Sequence, residues 1–188
     1  AVLLVATGSA SPLPSLEIKS CLTPRSVSAF IGFGQFRSVI MGDLTWNKEQ
    51  PLMCPDNKVG TVDLYLVSHH GSDTSGSDAL VQALEPRVAV MNNGPRKGGG
   101  PLTFDSLTRV ESLEDLWQNH YAVAVGDANR PASFIANLQD FAPTDNDEAA
   151  VHLGTAYWTH IAARRDGSFT VTNSRNGFSR TYGQPNGR

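Results

Sequence analysis

Cysteine is scarce in this chain. Cys21 and Cys54 are the only two in 188 residues. Two isolated thiols exclude a structural zinc site of the four-cysteine type. An even count permits one disulfide, and a Cys21–Cys54 bridge would point outside the cytoplasm. Both cysteines stand near prolines in loop-like sequence, where two free thiols are the plainer expectation. Long apolar runs are also missing, and no stretch approaches the ~20 residues of a membrane span. Positive charge is not in excess. Fifteen Lys and Arg against eighteen Asp and Glu leave a net charge of -3. That balance gives no support to tight, non-specific nucleic-acid binding over the whole surface, although Arg87, Arg96 and Lys97 leave room for a local basic patch. Gly8-Ser9-Ala10-Ser11 lacks the glycine pattern of a nucleophile elbow. Neither an internal repeat nor a firm domain boundary is visible, so residues 1–188 read as one domain.

What is present is the composition of a globular protein, with 40% hydrophobic and 18% charged residues. The chain opens with the apolar run Val2–Ala6, which has no basic region before it and is too short for a secretory signal. It reads as a strand that starts abruptly, with upstream sequence expected. Ser9–Pro24 is rich in Ser and Pro and reads as a loop. Val27–Phe33 and Phe36–Met41 are strand-like and join at Gly34-Gln35 as a hairpin. Asn47–Leu52 suits a short helix, and Val62–Val67 a buried strand. Ser75–Leu84 predicts a helix capped by Ser75 or Ser77 and stopped by Pro86, followed by a strand at Arg87–Met91. Strand, helix, strand in this order predicts an α/β fold with a largely parallel or mixed sheet. Asn92–Pro101 reads as a flexible loop, and Leu102–Val110 and Ser112–His120 as helices. Ala142–Ala150 reads as an acidic surface loop. Tyr157–Ala162 and Ser168–Asn173 flank Asp166-Gly167 as a C-terminal β-hairpin, with a further turn at Asn176-Gly177.

Two of the apolar runs end in chemistry-bearing residues. Phe36–Met41 is followed by Gly42-Asp43, and Val62–Val67 by Ser68-His69-His70-Gly71. The carboxyl ends of parallel strands are where α/β folds place sites, so an acid and a histidine pair are presented on one sheet edge. A carboxylate offers two oxygens and a charge to metal ions, and a neutral imidazole one directional nitrogen. Adjacent residues of an extended segment point to opposite sides, so one histidine would ligate and the other would support it or meet substrate. From the residues alone, the pair serves equally as loop histidines satisfied by backbone, and Asp43 as a turn or cap residue. Further candidates are Trp46 as a pocket wall, Asn93 at a strand end, and Arg96 and Lys97 as anion-steering groups in the glycine-rich loop.

The ordered set Gly42-Asp43 and Ser68-His69-His70-Gly71-Ser72, with Ser77–Leu84 and Pro86–Val90 after it, resembles the carboxyl-terminal half of the metallo-β-lactamase superfamily. The last two of these segments further resemble the branch typified by the hydrolase domain of the DNA-uptake protein ComEC, and the similarity covers about residues 25 to 110. The resemblance implies half or more of a four-layer αββα sandwich, a mixed sheet with flanking helices. It also implies a site for two metal ions, usually zinc and otherwise manganese or iron. Asp43 matches the bridging carboxylate. The last metal histidine matches the pair, with His70 favoured and His69 the alternative. The implied activity is hydrolysis of a phosphodiester or other ester, nucleic acid included, by a metal-activated water. The His-x-His-x-Asp-His motif of the family's first half does not occur here, and His120, His152 and His160 are isolated. The chain is therefore expected to be the second half of a longer hydrolase, with the first half in the same precursor or a second chain as its partner. A non-catalytic binding or structural module built on that fold is the alternative.

Overall fold

The computed structural model describes residues 2–7, 17–23, 26–138 and 154–184. Its strands form two sheets. The larger contains β2 (Glu17–Thr23), β3 (Ser26–Phe33), β4 (Phe36–Ile40), β5 (Leu64–Leu66), β6 (Val88–Met91), β7 (Asp115–His120) and β8 (Ile135–Asn137), in that spatial order. The smaller has the order β1 (Val2–Ala6), β9 (Thr159–Ala163), β10 (Phe169–Asn173) and β11 (Ser179–Tyr182). In the large sheet β2, β3 and β4 form an antiparallel meander, and β4 to β8 run parallel. In the small sheet β1 is parallel to β9, and the rest is antiparallel.

Parallel strands in sequential order need crossover connections. Here α1 (Trp46–Met53), α2 (Asp78–Leu84) and α3 (Pro101–Thr108) supply three of them. Crossovers of one hand, taken in one direction, put every helix on the same face. Met53 of α1, Leu80, Val81 and Leu84 of α2, and Phe104 and Leu107 of α3 pack with Val39, Tyr65, Ala89, Met91 and Leu116 of the sheet. The opposite face carries Phe36, Leu64, Val88, Val90 and Trp117, which pack against Ile161, Phe169, Val171 and Tyr182 of the small sheet. Alternate residues of one strand thus enter two different cores, as Val88 and Val90 do against Ala89 and Met91. This is why the central strands read as unbroken apolar runs. The protein is a mixed α/β structure with helices on one side of a mixed sheet and the C-terminal antiparallel strands on the other.

Aromatic rings lock the two sheets together. Phe36 meets Phe169 edge-on at 5.3 Å between centroids, and Phe169 stacks on Tyr182 at 4.8 Å. Between them runs a buried polar clasp. The Trp117 indole donates to the Tyr182 hydroxyl at 2.8 Å, and that hydroxyl donates to Asp115 Oδ2 at 2.6 Å. Arg180 closes on the same carboxylate at 3.0 Å.

Two predicted elements differ. Ser112–His120 was expected as a helix, but residues 115–120 form β7, buried on both faces. Its Leu113, Leu116 and Trp117 have helical spacing, yet Leu116 serves the helical core and Trp117 the inter-sheet core. Residues 17–23 of the expected Ser/Pro loop form β2, paired along its whole length with β3. The β3–β4 hairpin, α1, α2, β5, β6, α3 and the C-terminal hairpin lie where the sequence predicts, with ends shifted by a few residues. The expected loop at Ala142–Ala150 and Gly8–Ser11 lie outside the described residues.

Candidate functional site

The parallel register of β4 and β5 pairs Ile40 with Leu66. The chain then leaves both strands side by side, as Met41-Gly42-Asp43 and Val67-Ser68-His69-His70. The His69 N–H donates to the Gly42 carbonyl at 2.8 Å, so the two segments touch directly. The Asp43 N–H donates to Ser26 Oγ at 3.0 Å. Asp43 is exposed, and its carboxylate has no hydrogen-bond or ionic partner among the described residues.

The histidines do not continue the strand. Ser68–Gly71 forms a single 3₁₀ turn, with His69 at φ 50°, ψ 40° and His70 at φ 59°, ψ 16°. Gly71 follows at φ 78°, giving three left-handed residues in succession. The alternation expected of an extended segment does not apply, because β5 ends at Leu66. Each left-handed histidine costs about 1–3 kcal/mol, which the surroundings must offset. They do so with backbone bonds. Ser72 N–H donates to the His69 carbonyl at 2.9 Å, Gly99 N–H to that of His70 at 3.0 Å, and Gly100 N–H to that of Gly71 at 2.8 Å. Upstream, the Ser68 N–H donates to the buried Tyr65 hydroxyl at 3.0 Å.

Each imidazole is fixed through one nitrogen. His70 Nδ1 lies 2.8 Å from the Asn92 carbonyl oxygen. A carbonyl only accepts, so Nδ1 carries the proton and Nε2 of the neutral ring holds a lone pair. His69 Nδ1 lies 3.1 Å from Ser75 Oγ. Neither Nε2 has a partner among the described residues. One nitrogen anchored and the other open is how metal-ligating histidines are held. The ring centroids are 6.5 Å apart.

The glycine-rich loop, expected to be flexible, is fastened onto this turn. Gly98 has φ +70°, and a Cβ there would meet the His70 carbonyl oxygen at 2.0 Å and the His70 Cβ at 2.7 Å, so only glycine fits. The Gly94 N–H donates to the Lys97 carbonyl at 2.8 Å and turns Arg96 and Lys97 outward, both exposed. Asp73 clasps the far end, its Oδ1 accepting from Leu102 N at 3.0 Å and Thr103 N at 3.2 Å at the start of α3. Glu49, fully buried, accepts from Gly76 N at 2.7 Å and Ser77 N at 2.9 Å. It ties the segment after the histidines to α1. Ser77 caps α2 by accepting from Leu80 N at 3.3 Å.

The other sequence candidates fall into place differently. Trp46 is 45% exposed, and its backbone N–H donates to the Thr74 carbonyl at 3.2 Å, beside the histidine turn. Asn93 is buried, and its amide donates to the carbonyls of His120 at 2.8 Å and Gly94 at 3.1 Å, tying β6 to β7. His120 ends β7, His160 lies on β9, and His152 is outside the described residues. Cys54 is a free, exposed thiol, and the side chain of Cys21 is outside the described residues. The sequence did not single out Ser75 as an anchor for His69, nor Asn119. The Asn119 amide donates to Asn92 Oδ1 at 2.6 Å, and its Oδ1 accepts from Thr159 at 3.1 Å, steadying the residue that holds His70.

The donor set suits a metal only in part. His70 offers a lone pair of fixed direction, and Asp43 an unengaged carboxylate. Among the described residues, however, no three His, Cys, Asp or Glu side chains gather where a metal ion would be held. A catalytic zinc normally takes three protein ligands and a water. No protein-family model matches this chain, and searches of curated proteins and of solved structures find no match either.

Proposed function

We propose that this chain contributes half of the site of a metal-dependent hydrolase with the metallo-β-lactamase sandwich fold, acting on a phosphodiester or other ester. The observation that carries the proposal is the pair of Nδ1-anchored imidazoles with open Nε2 atoms, set against Asp43 by the His69–Gly42 bond. His70 Nε2 is the metal ligand, because the Asn92 carbonyl dictates its tautomer. The Asp43 carboxylate joins it, and His69 orients a ligand or meets substrate. Zinc, or manganese or iron, would supply a water of lowered pKa and polarise the scissile bond. Arg96 and Lys97, turned outward beside the pair, would draw an anionic substrate, nucleic acid included. Trp46 would wall the same mouth. The remaining ligands come from outside these residues, from a partner half of the fold.

Metal analysis of the protein as isolated tests this, alongside hydrolysis of a nitrophenyl phosphodiester. His70→Ala and Asp43→Ala should each lower metal affinity and metal-dependent turnover by at least about tenfold, the least that loss of even a supporting contact costs such sites. Unchanged metal stoichiometry in Asp43→Ala would remove that residue from the site. The count of only two candidate ligands favours a second reading, a non-catalytic binding module on the same fold. Its signature would be a protein that binds neither zinc nor manganese yet keeps its fold.

A further inference from the structure

Among the described residues, β2 and β8 form the edges of the large sheet, and β1 and β11 those of the small one. An open edge invites a further strand unless something guards it. Glu17 and Lys19 put charges on β2, β8 is only three residues long, and β11 carries Arg180. β1 has no such guard. Val2-Leu3-Leu4-Val5-Ala6 is uncharged, holds no proline, and pairs with β9 along its whole length without a bulge. In a parallel pair, alternate residues turn both backbone groups to the same side. The Thr7 N–H donates to the Ala163 carbonyl at 2.9 Å, so Leu3, Val5 and Thr7 face β9. Val2, Leu4 and Ala6 present their N–H and carbonyl groups to the outer edge, where no strand among the described residues receives them.

That edge looks onto an uncovered corner of the large sheet. β9 crosses the sheet obliquely. At one end Thr159 bonds to Asn119 near the carboxyl end of β7, and beyond the other the Gln35 N–H of the β3–β4 turn donates to the Arg165 carbonyl at 2.8 Å. β10 lies toward β8, its Asn173 amide donating to the Ile135 carbonyl at 2.9 Å. β1, on the other side of β9, therefore lies toward the carboxyl end of β4 and the start of β3. Phe33 and Phe36 both pack in the inter-sheet core, so Val27, Ala29 and Ile31, at alternate positions of β3, share its face. Yet Val27 is 61% exposed, and Ala29 and Ile31 are only half-buried. An exposed valine is ordinary in isolation. On the inner face of a sandwich, beside an unguarded edge, it marks missing cover.

We infer that the outer edge of β1 takes an extended strand from a partner polypeptide, continuing the small sheet over Val27. The backbone of that strand bonds to Val2, Leu4 and Ala6. Its side chains alternate. Apolar ones turn inward to Val27 and to the core that holds Ile161 and Val171, and polar ones turn outward, level with His160, Thr170 and Thr172. Ser26, next to Val27, accepts from the Asp43 N–H, so the added strand comes to lie beside the candidate site.

The probe is a fluorescein-labelled peptide, Lys-Val-Thr-Val-Thr-Val-Lys, titrated into the intact protein by fluorescence anisotropy, with amide hydrogen exchange followed by NMR. It should bind saturably and slow exchange at Leu4 and Ala6. The same peptide with its central amides N-methylated cannot pair, and should bind at least about tenfold more weakly. Ala6→Pro removes one outward donor at an edge position that tolerates proline, and should weaken binding about fivefold, the loss of one hydrogen bond. Zinc or a chelator should leave binding unchanged, which separates the edge from the proposed metal chemistry. No saturable binding, equal binding of the N-methylated peptide, binding that requires zinc, or protection at β2, β8 or β11 instead of β1 would overturn the assignment. So would Leu4 and Ala6 amides already protected without the peptide, as a second copy or another segment of this chain at β1 would make them.

Discussion

Replacing Glu49 by alanine removes the carboxylate that fastens the segment after the histidines to α1. Both oxygens are engaged, with Gly76 N at 2.7 Å and Ser77 N at 2.9 Å, and the side chain is wholly buried. Backbone N–H groups donating to a charged acceptor contribute about 1.5–3 kcal/mol each, so two such bonds are worth about 3–6 kcal/mol. Removing a buried charge returns part of that through relieved desolvation. A net loss of about 3 kcal/mol follows, or about 6–12 °C in Tm for a chain of this size. Glu49→Gln should lie between wild type and alanine, since one oxygen still accepts while the new amide faces an N–H. Calorimetry or circular-dichroism melting gives the magnitude. The imidazole NMR signals of His69, whose Ser75 anchor sits just before Gly76, report whether the loosened segment disturbs the site. A Tm within about 2 °C of wild type in Glu49→Ala would refute the reasoning, because two buried charge-assisted bonds would then carry no net energy.

Other tests reach different parts of the molecule. Burial holds the phenols of Tyr65 and Tyr182 above their ordinary value, and the Asp115 carboxylate adds to the shift at Tyr182. The folded chain therefore keeps protons that the unfolded chain gives up near pH ~10. This stabilising contribution is complete below that pH and falls above it by about 1.4 kcal/mol per pH unit for each tyrosine. Urea midpoints followed from about pH 9 to 11 should drop accordingly, less steeply in Tyr182→Phe, and a flat profile would contradict the burial argument. Gly98→Ala and Gly60→Ala both place a side chain at positive φ, but only the first meets neighbouring backbone. Gly60→Ala should cost about 1–2 kcal/mol. Gly98→Ala should cost more and also displace the His70 imidazole resonances, and equal melting of the two variants would count against the tight seat of His70.

Much of the architecture was legible because the central strands face apolar cores on both sides. Val88–Met91 announces itself as a strand whichever way it is turned. β7 was not legible for the complementary reason. Its inward positions include Asp115, Gln118 and Asn119, whose burial is compensated by partners distant in sequence, namely Arg180, Tyr182, Asn129, Asn92 and Thr159. No local pattern encodes those partners. β2 was hidden because an edge strand is specified by the hairpin it joins as much as by its own residues. At the site, the residues themselves were readable and their backbone was not. Nothing in Ser68-His69-His70-Gly71 declares three left-handed conformations in a row. They exist because Gly99 and Gly100, nearly thirty positions on, donate to the carbonyls of His70 and Gly71. The anchor of His70 is the backbone carbonyl of Asn92, a group that every residue owns and no sequence pattern marks.

The parallel run from β4 to β8 also gives the large sheet a front and a back. Every loop departing a carboxyl end is delivered to the histidine side, and the connections arriving at amino ends gather around Arg87, Glu114 and Arg130. Between them stand the cores, which transmit little unless a strand shifts as a whole. An insertion between Gly94 and Gly98 and one between Thr108 and Leu113 would therefore be felt on opposite sides of the molecule. The two rims can be varied, lengthened or lost independently, as two surfaces that share a scaffold and little else.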